Sequence, residues 1–240
     1  MTNRTPPAAL EGLPPVVADA VADALGAGHR RDPVEGRTGG PAGNAVLTAW
    51  LGLLLLVALA AELVTLLDVR GLLGWHAGVG AVIGALVVGK AAATGWRVAR
   101  YYRGAPSYRV AGPPPTVFRV LGPLVVLSAL AVLGTGFALV ALGADSSRQV
   151  LLTALGHRVD AVTLHQAAFI VFGVLVALHA LGRLVPALDR VGRRLGRAVP
   201  GARWRWALLA GVGVVAALGV VLVLPLTHGW TGGGFSARTH

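Results

Sequence analysis

The sequence contains no cysteine, and its only methionine is Met1. The absence of cysteine excludes disulfide bonds, iron–sulfur clusters, thiolate zinc sites and thioether-attached haem. The single methionine leaves none in the interior that could bind an iron atom. Charged residues are also scarce, at 13% of the 240 residues, whereas in an average soluble domain they make up about 25%.

In contrast, long hydrophobic runs are abundant in this chain. Hydrophobic residues make up 55% of the chain, and the mean hydropathy is +0.71. Five stretches carry few or no charges, and each is long enough to cross a bilayer, which takes about 20 helical residues. We therefore predict an all-α integral membrane protein with a bundle of five transmembrane helices. The predicted spans are 45–67, 76–96, 120–143, 163–185 and 206–226.

A net charge of +11 would suit a nucleic-acid-binding protein, but the arginines of this chain follow a membrane topology. The connection 97–119 contains five arginines and no acidic residue, and 183–205 contains seven arginines and one aspartate. The positive-inside rule places both connections in the cytoplasm. We therefore expect a multi-pass plasma (inner) membrane protein with a cytoplasmic N-terminus, an external C-terminus and no nucleic-acid partner.

The predicted spans divide the chain into three parts. Residues 1–43 form a cytoplasmic tail, residues 44–226 the transmembrane domain and residues 227–240 an external tail. In the first tail, apolar residues recur every four positions from 17 to 25, with two aspartates opposite. This pattern is equally compatible with a short amphipathic helix and with a partly disordered segment. The arginine-rich stretch 189–197 indicates a basic helix on the cytoplasmic membrane surface.

Two of the predicted spans carry matching pairs of nitrogen side chains. Lys90 follows His76 after fourteen positions, and His179 follows His165 after the same interval. Fourteen residues correspond to about 21 Å and nearly four turns of helix, so both members of a pair lie on one face. Because one span separates these two helices, they run in the same direction. His76 and His165 then face each other near the external side, and Lys90 and His179 meet near the cytoplasm.

Facing imidazoles of this kind are a natural axial pair for haem iron. We predict that His76, His165 and His179 are haem-iron ligands. The alternative is that these histidines are buried polar residues bonded to neighbouring helices. Glycines on the middle three spans could admit porphyrin edges or simply let helices approach each other. They are Gly80, Gly84, Gly89, Gly122, Gly134, Gly136 and Gly173.

Lys90, the only lysine, has three interpretations. A neutral amine could ligate the inner haem opposite His179, and an ammonium could neutralise a haem propionate or a quinone oxygen. The side chain could also extend to the cytoplasmic interface. Glu62, near the outer end of the first span, could take protons from a quinol beside the outer haem, or it could simply lie at the interface.

The stretch 164–184, LHQAAFIVFGVLVALHALGRL, resembles the membrane di-haem cytochromes b. It is most similar to the cytochrome b subunits of bacterial formate dehydrogenases and nickel–iron hydrogenases. The resemblance covers about 45–185 and rests on two histidines separated by thirteen residues and on the helical architecture. It implies that four of the five spans form an up-down bundle holding one or two b-type haems. It also implies a quinone site and a redox partner subunit.

Residue by residue, the resemblance matches His76 and His165 to the outer ligand pair and His179 to one inner ligand. The family usually supplies the other inner ligand as a histidine on the first span, where this chain has none. Lys90 occupies the position where other cytochromes b have the second histidine of a paired motif, so the chain would hold one haem, or two with an unusual inner ligation. We expect a membrane cytochrome b that carries electrons across the bilayer between quinone and a partner. It would be the electron-transfer subunit of a membrane oxidoreductase. The alternatives are a small non-redox transporter and an assembly or anchor subunit.

Overall fold

The computed structural model describes residues 10, 12–27, 32–154, 156–192 and 199–231. Within these ranges the chain is almost entirely helical, with one small hairpin. The predicted all-α helical bundle is confirmed, since five helices are long and apolar enough to cross a membrane. The helices are α1 (Pro15–Ala24), α2 (Gly40–Thr65), α3 (Leu73–Tyr102), α4 (Pro106–Ala111), α5 (Thr116–Ser147), α6 (Ala161–Gly192), α7 (Ala202–Val223) and α8 (His228–Thr231).

The five long helices, α2, α3, α5, α6 and α7, extend past the predicted spans. Single 3₁₀ turns continue α2 over Leu66–Asp68 and α7 over Leu224–Thr227. The extra turns carry the polar, aromatic and arginine residues that a hydrophobic-run criterion excludes. The backbone of these extra turns stays helical, because its N–H and C=O groups need internal hydrogen-bond partners wherever water is scarce.

The loop between the third and fourth spans contains two short strands that the sequence did not predict. β1 (Leu152–Ala154) pairs antiparallel with β2 (His157–Val159), and Leu152 lies opposite Val159. Gly156, in the tight connection, has a positive φ of 79°, a conformation that glycine adopts without steric cost. The hairpin satisfies backbone groups in a loop that has no helical partners.

Asp160 caps the start of α6. Its Oδ1 accepts hydrogen bonds from the Thr163 backbone N–H and the Thr163 hydroxyl, each at 2.8 Å. These two bonds lower the pKa of the Asp160 carboxyl below its usual range, because they favour the charged form. The bond from the Thr163 backbone has the larger effect. The cap defines where the helix that carries two of the predicted site histidines begins.

The outward faces of the long helices are apolar. Val57 is 68% exposed, Leu181 73% and Leu222 71%, and each belongs to a different long helix. Aliphatic surface of this extent would be unfavourable in water, and it is the surface expected of helices in contact with lipid. The protein is therefore a multi-pass membrane protein, as predicted.

The chain forms two compact units, and each long helix contributes one end to each unit. Unit 1 comprises 1–54, 89–126 and 175–210, and unit 2 comprises 55–88, 127–174 and 211–240. Unit 1 contains a small apolar core of Ala42, Val46 and Val199 with Trp50 packed against it. Also in unit 1, the Asn44 side-chain amide donates to the Ala93 carbonyl at 2.8 Å and joins α2 to α3.

Candidate functional site

The imidazoles of His76 and His165 lie together in unit 2. His76 is on the first turns of α3 and His165 is on the first turns of α6. Their ring centres are 6.3 Å apart, and the ring planes are nearly perpendicular, at 84°. The fold thus brings together the two histidines that the sequence assigned to one level.

His76 is held through its Nδ1 atom by the last turn of α2. Nδ1 lies 2.9 Å from Glu62 Oε1 and 3.1 Å from Thr65 Oγ1. The Thr65 hydroxyl donates its only hydrogen to the Glu62 carbonyl at 2.6 Å, so it acts as an acceptor toward the ring. Nδ1 therefore carries the hydrogen of the neutral imidazole, and Nε2 keeps a free lone pair.

His165 is held in the same way by α5. Its Nδ1 lies 3.1 Å from Thr135 Oγ1, and the Thr135 hydroxyl donates to the Ala131 carbonyl at 2.8 Å. Because that hydroxyl has a single hydrogen, its oxygen accepts from the His165 ring. Both histidines thus carry their hydrogen on Nδ1, which leaves two Nε2 lone pairs available to a metal.

Gly136 gives the His165 ring its space. A Cβ atom on this residue would lie 3.0 Å from His165 Cε1 and 3.5 Å from His165 Nδ1. Among the other candidate glycines, Gly134 has no atom within 4 Å of such a Cβ, and neither does Gly173. Gly136 is therefore the one of these three glycines whose missing side chain leaves room for the His165 ring.

Glu62 is one of the few acidic residues inside a candidate membrane span. Oε1 faces His76, whereas Oε2 is buried and has no hydrogen-bond partner among the described residues. Gly80 lies next to the carboxylate, at a distance of 4.0 Å from its Cβ position to Oε1. The carboxylate is therefore directed at the histidine.

An apolar groove lies between α5 and α6 in unit 2. Its volume is about 390 Å³, and its lining includes Thr135, the residue that holds His165. The remaining lining residues are small or aliphatic, which makes the groove apolar. They are Ser128, Ala131, Leu164, Ala167, Ala168 and Val171.

Lys90 binds to the backbone of α2 in unit 1. Its Nζ donates to the Thr48 carbonyl at 3.0 Å and lies 2.9 Å from the Cβ position of Gly52. A side chain at position 52 would therefore displace the amine. The lysine turns inward onto a neighbouring helix, and it does not extend to the end of its own helix.

His179, also in unit 1, has different surroundings from the other two histidines. Its Nδ1 is buried and has no hydrogen-bond partner among the described residues. The Phe118 ring meets it edge-on with ring centres 6.4 Å apart, and the Arg183 guanidinium lies 4.0 Å above that same Phe118 ring. Lys90 and Arg183 are the charged groups that act on the His179 ring. The surroundings of His179 are therefore cationic, and the described residues place no second histidine there.

The described part of the chain contains no group of three or more His, Cys, Asp or Glu residues that could hold a metal ion. This observation disfavours a bare metal site in those ranges. A haem needs only axial ligands from the protein, because the porphyrin supplies the other four nitrogens.

The sequence did not single out Thr65 and Thr135, which orient the two histidines. Thr135 lies between Gly134 and Gly136, both of which were candidates on other grounds. A lone hydroxyl in an apolar run was the available signal, but threonine commonly bonds back to its own helix in such runs. Only the packing of separate helices identifies the partner ring.

Two other histidines belong to the described residues. His157 is exposed on β2, and His228 begins α8. His29, His240 and most of the arginine-rich stretch 189–197 fall outside the described residues.

No protein-family model, curated protein or solved structure matches this chain.

Proposed function

We propose that this protein is a membrane b-type cytochrome that carries electrons between quinone and a redox partner. His76 and His165 would hold the haem iron from opposite sides. The observation that carries the proposal is the arrangement of these two imidazoles in unit 2, 6.3 Å apart and each tethered through Nδ1. The resemblance of 164–184 to membrane cytochromes b points in the same direction.

The separation of the rings suits a shared iron. A metal–imidazole bond is about 2 Å long, so two such bonds and two half-rings place ring centres about 6 Å apart. The observed separation is 6.3 Å. Perpendicular ring planes are compatible with this arrangement, because each plane need only contain the axis through the iron.

The hydrogen bonds at Nδ1 provide independent support. Histidines that bind metals almost always donate their other ring hydrogen to a carboxylate, carbonyl or similar acceptor, which fixes the tautomer and the ring orientation. Glu62 and Thr65 supply this acceptor for His76, and Thr135 supplies it for His165. Both rings make these contacts through the same nitrogen, which supports the proposal.

When bound, the haem supplies one-electron transfer, and the protein supplies ligands, orientation and an apolar surrounding. Thr135 holds one imidazole in place. Glu62 holds the other, since a carboxylate attracts the Nδ1 hydrogen more strongly than a hydroxyl does. The apolar groove beside Thr135 would accommodate a porphyrin edge.

We assign one haem to each chain. His179 lacks the Nδ1 acceptor that both unit 2 histidines have, and Lys90 directs its nitrogen at the Thr48 carbonyl. Of the three interpretations of Lys90, a charge partner for an anionic or carbonyl group agrees best with this cationic level. The arginine-rich connections support a cytoplasmic location for the N-terminus in a plasma membrane.

A pyridine haemochrome assay tests the assignment. We expect about one haem b per polypeptide and a reduced spectrum typical of low-spin haem. The His179→Ala and Lys90→Met variants should keep that ratio, because neither residue is a ligand in this proposal. Two haems per chain would refute the single-haem assignment. A folded but colourless protein would refute the cytochrome and favour a non-redox transporter or anchor subunit.

Thr135→Val should weaken haem retention about 10–100-fold, the usual cost of removing a hydrogen-bond partner from a metal-ligating histidine. Valine has nearly the same shape as threonine but cannot accept the His165 Nδ1 hydrogen. The measurement is haem transfer from the purified protein to an excess of apomyoglobin. Thr135→Ser keeps the hydroxyl and should retain haem as the parent protein does. Equal retention in the valine variant would contradict the role of Thr135.

A further inference from the structure

The N-terminal segment carries acidic residues that contact arginines of unit 1. We use the term "strap" for the described residues 12–27 and 32–39. Asp23, Asp32 and Glu35 of the strap each contact a residue far along the chain. The strap therefore contributes anionic groups to a part of the protein where the connections are strongly basic.

The first of these contacts is between α1 and α6. Asp23 Oδ2 accepts a hydrogen bond from Arg183 NH1 at 2.6 Å, and the carboxylate side chain is 10% exposed. Ala20 lies on the same buried face of α1, at 8% exposure, whereas Val17 is 40% exposed. The buried face of α1 is thus the one that carries the aspartate. An amphipathic helix that buried its valines would have the opposite orientation.

The second contact joins two long helices. Asp32 Oδ1 lies 2.6 Å from Arg97 NH2 of α3, and Asp32 Oδ2 lies 3.9 Å from Arg190 Nε of α6. One carboxylate thus lies between two guanidinium groups that would otherwise repel each other. Glu35 adds a short hydrogen bond from the Ser107 hydroxyl, which attaches the strap to α4.

Aromatic residues indicate the depth of this region in the membrane. Trp96, beside Arg97, is 54% exposed, and Tyr102 is 80% exposed. The Arg100 guanidinium lies 5.8 Å from the centre of the Trp96 ring. Exposed tryptophan and tyrosine next to arginine are typical of the headgroup layer. The arginines bound by the strap therefore lie where phospholipid phosphates are also within reach.

We infer that Arg97, Arg183 and Arg190 form an anion-binding surface for which the strap and anionic phospholipid headgroups compete. The strap carboxylates occupy the surface when the surrounding lipid is zwitterionic. Anionic headgroups offer the same arginines a phosphate, and their surface charge repels the aspartates of the strap. The arginine side chains are 16–29% exposed, so the ion pairs are open to such exchange. This inference does not depend on haem binding.

The absence of cysteine allows a clean test with a single reporter thiol. Ala20→Cys places a thiol on the buried face of α1, and its rate of maleimide labelling reports release of the strap. The 240-residue protein is reconstituted in nanodiscs of phosphatidylcholine or of equal parts phosphatidylcholine and phosphatidylglycerol. A third sample has phosphatidylcholine nanodiscs with inorganic phosphate added to the buffer at matched ionic strength. Val17→Cys, on the exposed face, is the control.

We expect Ala20→Cys to label slowly in phosphatidylcholine and at least tenfold faster with phosphatidylglycerol, while Val17→Cys labels rapidly in both. Adding Asp23→Asn and Asp32→Asn to Ala20→Cys should give fast labelling in phosphatidylcholine alone. Equal Ala20→Cys rates in the two lipids would overturn the inference, and so would the same acceleration by free phosphate. Haem content measured on the same samples reports separately on the proposed cytochrome.

Discussion

Replacing His165 with alanine is expected to remove most of the Soret and α-band absorbance of the purified protein. The imidazole is one of the two side chains that would hold the haem under the proposed function, and His76 alone would hold it weakly. Added imidazole should restore part of the low-spin spectrum, because it can enter the space that the side chain leaves. The measurement is the reduced-minus-oxidised difference spectrum, normalised to protein.

His157→Ala is the matched control for this experiment. His157 lies exposed on β2, only eight positions before His165, and takes part in neither cluster. Its replacement should leave the spectrum unchanged. An unaltered spectrum in His165→Ala would show that the iron, if present, is bound elsewhere. Far-ultraviolet circular dichroism of both variants distinguishes loss of a ligand from loss of the helical fold.

Gly136→Val is expected to produce a comparable loss of haem by a different route. Even a Cβ atom at this position would lie 3.0 Å from His165 Cε1, so the larger valine side chain forces the ring to move. Overpacking of this kind typically costs about 1–3 kcal/mol. Under the proposed function, the displaced ring would no longer hold the haem, although both histidines and both threonines are still present.

Gly134→Val tests whether crowding of the ring is the cause. Gly134 lies on the same helix two residues away, and a Cβ there meets no atom within 4 Å. Both substitutions change helix propensity equally, so haem content and thermal stability should fall only for Gly136→Val. If both variants behaved alike, the effect would belong to the helix in general, and the close approach of Gly136 to His165 would have no special role.

The two fourteen-residue intervals look equivalent in the sequence, but the structure distinguishes them. At the level of His76 and His165 each ring has a hydrogen-bond acceptor from another helix. At the level of Lys90 and His179 the lysine donates to a backbone carbonyl, and His179 Nδ1 has no partner among the described residues. Spacing along a helix places groups at a common depth, but it carries no information about what surrounds them.

The N-terminal segment illustrates the same distinction. Valines and a leucine at helical spacing were equally compatible with a short amphipathic helix and with a partly disordered segment. The structure has the helix, but the face it buries carries Ala20 and Asp23. The ion pair with Arg183, 160 positions away, decides the orientation, and no local pattern contains it.

The sequence by itself determined the five candidate membrane helices, the exclusion of cysteine-based cofactors and the meeting of His76 with His165. These properties depend on local hydrophobicity, on composition and on the regular rise of a helix. Tertiary structure alone decided that Thr65, Thr135, Glu62 and Gly136 support the histidines and that the acidic strap binds the arginines. Each of these contacts joins separate helices or segments. Its partners are set by how the elements pack, and packing is a property of the whole fold.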